Sequence, residues 1–143
     1  TIHLNCTASV AFKYFTNNEC LERWLTNRAE VEPEVKGKYE LFWVPEDREN
    51  NSTLGCKITA LTEGQLLAFE WRSPVQFKAF ANSADPLTHV TVSLVPDGAR
   101  TRVHLIHSGW RSSEEWEDAR TWQVQAWKVA FSRLSGLASE APN

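Results

Sequence analysis

The chain has few cysteines, no basic cluster and no long apolar run, and each absence excludes a class of protein. Its 143 residues contain three cysteines without a CxxC pair, which favours reduced thiols over a disulfide framework. The net charge is −3 and no stripe of Lys and Arg stands out, so we predict no nucleic-acid surface. The apolar runs are too short to cross a bilayer, and no secretory leader opens the chain. These features predict a cytoplasmic protein without membrane insertion.

Signatures of common catalytic and metal sites are also missing. The sequence has no G-x-S-x-G elbow, P-loop or G-x-G-x-x-G fingerprint. His104 and His107 are three residues apart on a predicted strand, so their side chains point to opposite faces and cannot share a metal ion. His89 falls on the same outer face as His104. We therefore predict no metal site and no cofactor.

Large apolar and aromatic side chains do occur, at every second position of several extended segments. The alternating sets are Tyr39/Leu41/Trp43, Leu67/Phe69/Trp71 and Val103/Leu105/His107. Charged residues such as Glu40, Glu70 and Arg102 occupy the positions between them. This period of two predicts an antiparallel sheet with one buried face and one exposed face.

Two predicted hairpins agree on which face is buried. Residues 54–61 and 66–72 flank a two-residue turn at 63–64, and residues 88–95 and 100–110 flank a four-residue loop. The pairs predicted on the buried face are Ala60–Leu67, Ile58–Phe69, Cys56–Trp71, Val92–Val103 and Val90–Leu105. The inner face of the sheet is then predicted to consist of Leu41, Trp43, Ile58, Phe69, Trp71, Val90, Val92, Val103, Leu105 and His107.

Short helices are predicted between the first strand and this sheet. An opening strand covers residues 2–6, after which Ser9 is a candidate cap for a helix through Phe15. Thr16 and Glu19 stand in the spacing of a capping box and announce a second short helix.

A long helix is predicted after the last strand. Ser112 and Glu115 form a capping box, and the helix extends to about Leu137 before a frayed tail. Residues spaced by three and four positions form its broad buried face, namely Trp116, Ala119, Gln123, Trp127, Ala130, Phe131 and Leu134. A helix with so wide a face packs across the buried side of a sheet. The chain is therefore predicted to be one α+β domain over residues 1–143.

This order of elements, a strand, two short helices, about six strands in all and a long final helix, is the helix-grip plan. The supporting motifs are Phe15-Thr16 with Trp24-Leu25, Gly37 before Tyr39-Glu40-Leu41, Leu67-Ala68-Phe69-Glu70-Trp71, Thr101-Arg102-Val103-His104-Leu105 and His107-Ser108-Gly109-Trp110. On these residues the chain resembles the START-like superfamily, also called SRPBCC, and within it the branch related to the activator of heat-shock-protein-90 ATPase. The resemblance implies a curved antiparallel sheet wrapped on the long helix. It also implies a cavity between them, which in many members binds apolar or amphipathic small molecules.

Aromatic residues are the candidate ligand-binding groups. An aromatic side chain buries about 150–250 Å², so any single ring is explained by core packing alone. The rings nevertheless come from strands and helices that converge on the space between sheet and long helix, which predicts a pocket. The candidate site consists of Trp24, Tyr39, Trp43, Phe69, Trp71, Phe77, Phe80, His107, Trp110 and Trp127. Residues 73–87 are interpreted either as a flap over its opening or as a surface segment whose rings pack on the core.

Three functions remain open from the sequence. The leading hypothesis is non-catalytic binding of an apolar small molecule such as a lipid. The second is a cyclase or hydrolase that uses the inward-facing His107 as acid or base, although a satisfied interior histidine is the plainer interpretation. The third is a protein-interaction module that resembles the co-chaperone and uses a thin outer patch of Phe42, Val95 and Ile106.

Overall fold

A computed structural model describes the backbone of residues 1–140 and the side chains of residues 1–138. Its elements are β1 (Ile2–Leu4), α1 (Ala8–Thr16), α2 (Asn18–Trp24), β2 (Arg28–Val31), β3 (Tyr39–Phe42), β4 (Ile58–Thr62), β5 (Leu66–Trp71), a 3₁₀ turn (Val75–Phe77), α3 (Lys78–Ala81), β6 (Thr88–Asp97), β7 (Arg100–Ser108) and α4 (Glu114–Glu140). The end of the predicted tail, residues 141–143, lies outside the described residues. Gly136, predicted near the helix end, lies within α4.

The strands form a five-stranded antiparallel sheet in the order β1-β7-β6-β5-β4 and a two-stranded sheet of β2 and β3. Backbone hydrogen bonds from the Tyr39 amide to the Cys56 carbonyl and from the Ile58 amide to the Gly37 carbonyl, both 2.8 Å, connect the two sheets. This confirms the predicted α+β helix-grip fold. Strand β2 was not anticipated. It pairs with β3 over four residues, and two of its amides also donate to the side chains of Asn18 and Glu22 in α2.

The β4–β5 hairpin has a three-residue turn rather than the predicted two. Residues 63–65 form it, with Gly64 at a φ of 75°. The longer turn makes the predicted Ala60–Leu67 pair wrong by one residue, and an irregularity in β4 then restores the register. Cys56 lies before β4, so the predicted Cys56–Trp71 pair is not part of the ladder. The observed pairs are Thr62–Leu66, Leu61–Leu67, Ala60–Ala68 and Ile58–Phe69.

The β6–β7 hairpin has a shorter turn than predicted, with two residues instead of four. Asp97 pairs with Arg100, so the connection is the two-residue turn Gly98-Ala99, with Gly98 at a φ of 64°. The observed inner pairs are Val90–His107, Val92–Leu105 and Leu94–Val103. The predicted register was wrong by two residues, and an even displacement leaves each side chain on its predicted face.

The helix caps lie one or two residues from the predicted positions. Instead of Ser9, Thr16 and Ser112, the side chains that accept the first-turn amides are Thr7 (from Val10), Asn17 (from Cys20) and Ser113 (from Trp116). Ser, Thr and Asn are all competent caps. Where several stand close together, tertiary packing decides which one is used.

Helix α4 crosses the inner face of the sheet, as predicted. The predicted inner residues of the sheet are all buried or half-buried. From the helix, Ala119, Gln123, Trp127, Ala130, Phe131 and Leu134 are buried against them. Trp116, predicted on the same face, is half-buried and packs against Phe80 and Trp110 at ring distances of 5.2 and 6.3 Å. The core thus lies between α4, the sheet and the two short helices.

Gly37, the glycine that precedes β3, is required by a close backbone approach. A Cβ at this position would lie 2.3 Å from the carbonyl oxygen of Glu32. We expect Gly37→Ala to lower the free energy of unfolding by about 1–3 kcal/mol, because backbone atoms must move to admit the methyl group. Gly136→Ala is the matched control. Nothing lies within 4 Å of its added methyl group, so it is expected to stabilise α4 by about 1 kcal/mol. Urea denaturation that gave both variants the same change would contradict the close approach.

Candidate functional site

Two clefts flank α4, one on each side. The first, called here the tryptophan cleft, has a volume of about 510 Å³. It lies between α4, the ends of β3 and β5, and the segments that follow those strands. Its lining residues are Leu25, Trp43, Val44, Asn51, Ser52, Trp71, Arg72, Pro74, Gln76, Trp122, Gln123, Gln125, Ala126, Trp127, Val129, Ala130 and Arg133. Four indoles therefore surround a space whose other walls are mainly apolar, amide and arginine side chains.

The second cleft, called here the His107 cleft, lies on the opposite side of α4 beside β1 and β7. Its volume is about 540 Å³. It contains His107 and Trp110 together with the cationic residues Arg120 and Lys128. Gln123 and Trp127 line both clefts.

The space directly beneath α4 is filled by side chains. The Trp71 and Trp127 rings lie 5.0 Å apart, and the Trp71 Nε1 donates to the Gln123 Oε1 at 3.3 Å. The Trp127 Nε1 donates to the Nδ1 of His107 at 3.1 Å. These four residues form a partition beneath α4, with the tryptophan cleft on one side and the His107 cleft on the other.

His107 has both ring nitrogens engaged. Because Nδ1 accepts from the Trp127 indole, the proton of the neutral ring resides on Nε2, which lies 3.0 Å from the Thr88 hydroxyl. Burial lowers the pKa of His107 to about 3, with a smaller contribution from His89. The imidazole is therefore neutral at pH 7. This geometry favours the interpretation of a satisfied interior histidine over that of a general base.

Three of the candidate ligand-binding residues are fully enclosed core side chains. Trp24 donates from Nε1 to the Tyr14 carbonyl at 2.8 Å, and Tyr39 donates from its hydroxyl to the Phe15 carbonyl at 2.7 Å. Phe69 stacks on Tyr39 with ring centroids 3.8 Å apart. None of the three lines either cleft.

Five other candidates lie on the two sides of the partition, whereas Phe77 and Phe80 line neither cleft. Trp43 and Trp71 line the tryptophan cleft, His107 and Trp110 line the His107 cleft, and Trp127 lines both. The tertiary structure therefore separates residues that the sequence analysis placed in one site.

Residues 73–87 pack on the exposed side of α4. The Phe77 ring lies 6.1 Å from the Trp122 ring, and the Phe80 ring lies 5.2 Å from the Trp116 ring. Pro74 and Gln76 of this segment line the tryptophan cleft. The segment thus forms one end of the cleft and holds Trp122 through Phe77.

Several cleft residues were not included in the predicted site. Trp122, Ala126, Val129 and Arg133 recur along α4 at spacings of four, three and four, which places them on one helical stripe beside the predicted core face. This spacing is a signal in the sequence from which the stripe could have been predicted. No such signal marks Arg72 as a cleft residue, because it follows Trp71 at the end of β5 and alternation assigns it to the outer face.

The cysteine thiols and the outer face of the sheet are weaker candidates for a functional site than the two clefts. Burial raises the pKa of all three cysteines, to about 12 for Cys56, so they are free thiols at neutral pH. Phe42, predicted as part of an outer patch, is buried instead, because the segment after β3 covers it and the Arg48 guanidinium lies 4.3 Å from its ring centroid. Val95 and Ile106 are exposed as expected.

The described residues contain neither a clustered metal site nor a membrane-spanning helix. No group of three or more His, Cys, Asp or Glu side chains is arranged to hold a metal ion among residues 1–138. Along the described backbone, no helix combines the length and hydropathy that a bilayer crossing requires.

Comparison with known proteins agrees with the fold. The family described as Activator of Hsp90 ATPase homolog 1-like protein matches residues 5–139. A protein of Mesorhizobium loti superposes with a TM-score of 0.76 at 17% identity, covering 99% of this chain and 97% of that one. The Aha1 dimer of Colwellia psychrerythraea gives 0.71 at 14% identity, with coverages of 99% and 95%. The AHSA1-like protein of Rhizobium etli gives 0.66 at 23% identity, with coverages of 97% and 79%.

No curated protein matches the chain. The family match covers nearly the whole sequence, and the structural neighbours share the sheet and the long helix. The chain belongs to the family of Activator of Hsp90 ATPase homolog 1-like proteins, as its sequence motifs predicted.

Proposed function

We propose that this protein binds an apolar or amphipathic small molecule in the tryptophan cleft without transforming it. The observation that carries the proposal is the convergence of Trp43, Trp71, Trp122 and Trp127 on one cleft of about 510 Å³. Small-molecule sites typically enclose roughly 300–1,000 Å³ and combine apolar walls with a few polar groups. The amides of Asn51, Gln76, Gln123 and Gln125 supply such groups.

Exposed apolar surface at the cleft supports the same function. Trp122 and Val129 are 42% and 55% exposed. Both residues face the cleft from α4. An apolar molecule seated there covers surface that otherwise remains in water, at a gain of about 25 cal/mol per Å².

Filling the cleft tests the proposal. Ala126 lies on the cleft side of α4, and Ala126→Phe is expected to weaken binding at least about tenfold, equivalent to about 1.4 kcal/mol. Thr121→Phe adds the same ring at an exposed position of the same helix that lines neither cleft. Titration of tryptophan fluorescence with lipids and polycyclic aromatics supplies the measurement. Equal affinity of the two variants for every ligand found would place binding elsewhere and refute the proposal.

A further inference from the structure

We infer that the molecule bound in the tryptophan cleft is an amphipathic anion, an apolar body that carries one carboxylate. This inference rests on the proposed function and specifies the chemical class of its ligand. Its basis is the distribution of charge around the cleft.

The cleft has cationic side chains and no acidic ones. Arg72 lines it from the end of β5 and Arg133 lines it from α4. None of its described lining residues is Asp or Glu, although the chain as a whole has 18 acidic and 15 basic side chains. The local charge of the cleft is therefore opposite in sign to the net charge of the protein.

Neither arginine is paired with a carboxylate of the described residues, although Arg72 also contacts the Cys56 thiol. Within residues 1–138, no carboxylate lies within 4.0 Å of the Arg72 or Arg133 guanidinium. Other arginines of the chain do have such partners; Arg28 and Arg48, for example, both contact Glu30. A guanidinium binds a carboxylate through two parallel hydrogen bonds, so a carboxylate matches its planar geometry.

Arg72 gives a second, independent indication. Its Nε is buried and has no hydrogen-bond acceptor in the described part of the chain. Buried donors without a partner are rare in folded proteins, since each one costs the hydrogen bonds it made to water. The nearby carboxylates of Glu40 and Glu70 accept from the Gly55 and Lys57 amides, each at 2.9 Å. An anion at this end of the cleft would give Arg72 the paired carboxylate that it lacks among the described residues.

The arrangement along α4 suits an elongated molecule with one charged end. Trp122, Ala126, Val129 and Arg133 follow one another on the cleft side of the helix. At 1.5 Å per residue, the stripe from Trp122 to Arg133 is about 16 Å long. An apolar body lies against the first three residues while its carboxylate reaches the guanidinium at the end.

Matched head groups test the inference. Dodecanoate, dodecan-1-ol and dodecylamine share one chain and differ only in the head group, and 2-naphthoate, 2-naphthalenemethanol and 2-naphthylmethylamine form a rigid set. Each is titrated below its micelle concentration while tryptophan fluorescence is recorded. We expect the carboxylate of at least one set to bind about tenfold more tightly than its alcohol, with the amine weakest. The preference should decrease as salt is raised, because the charges at the cleft mouth are screened.

Charge-removing variants identify the cleft that binds the anion. Arg133→Gln is expected to reduce the carboxylate preference to about threefold or less, and adding Arg72→Gln should abolish it. Lys128→Gln is the matched control, because it removes one positive charge from the same helix on the side of the His107 cleft. It should retain the full preference.

The outcomes separate this inference from the proposed function. If all head groups of a set bind equally and Ala126→Phe blocks them, the function stands and the anionic ligand is refuted. If Lys128→Gln rather than Arg133→Gln removes the preference, the anion binds in the other cleft and the inference is wrong. If no probe from either set binds, the proposed function fails and the inference fails with it.

Discussion

Truncation of Trp71 to alanine is expected to lower the free energy of unfolding by about 4 kcal/mol. Trp71 is 3% exposed and is the central ring of the partition, with centroid distances of 5.0 to 6.0 Å to Trp43, Phe69, His107 and Trp127. Removing a buried indole loses its transfer free energy and leaves a cavity, a combination that typically costs about 3–5 kcal/mol. The Gln123 side chain also loses the indole donor at 3.3 Å, which adds to the cost.

Trp122→Ala is the matched control for this experiment. The same residue type on α4 is 42% exposed and has one ring contact, to Phe77 at 6.1 Å. We expect a cost of about 1 kcal/mol or less, since much of the residue already lies in water and its removal leaves no enclosed cavity. Chemical denaturation of both variants measures the difference. If the two costs were equal, Trp71 would not fill the interior in the way the partition requires.

Acidification is expected to destabilise the native protein through His107. The folded protein holds the pKa of His107 at about 3, whereas an unfolded histidine titrates near 6.5. As the pH falls below about 6.5, His107 of the unfolded chain binds a proton, whereas His107 of the folded protein stays neutral. The free energy of unfolding therefore decreases. The contribution of neutral His107 to the free energy of unfolding is fully present above that pH, and it decreases by about 3 kcal/mol between pH 6.5 and 4.

His107→Gln isolates this effect from the titration of the carboxylates. Gln has no ionisable proton in this range and can still accept a hydrogen bond from the Trp127 indole. We expect the variant to be less stable than the native protein at pH 7 but to lose less stability on acidification, measured by urea denaturation from pH 7 to 4. His104→Gln, on the exposed outer face, controls for the loss of a histidine and should follow the native profile. Parallel curves for the native protein and His107→Gln would show that the imidazole charges freely in the folded state.

The fold was predictable because its signals are local. Alternation along 66–72 and 100–110 identified the inner face correctly, and the spacing of Trp127, Ala130 and Leu134 identified the buried side of α4. The registers were not predictable to the residue. Turn length depends on how a short polar segment closes, and the turns at 63–65 and 98–99 each departed from the expected number of residues. Strand β2 was missed because its pairing depends on β3 and on two side chains of α2.

The sequence by itself determined the architecture and the family, since the direction of each side chain follows from the period of its own strand or helix. Only the tertiary structure decided where a ligand has room. Whether rings from distant elements enclose a space or fill it depends on their combined volumes and contacts, and no local pattern carries that information. Here Trp71 and Trp127 meet beneath α4 at 5.0 Å. Two clefts lie where one cavity was expected, and the candidate residues of one site are distributed between the core, the tryptophan cleft, the His107 cleft and the 73–87 segment packed on α4.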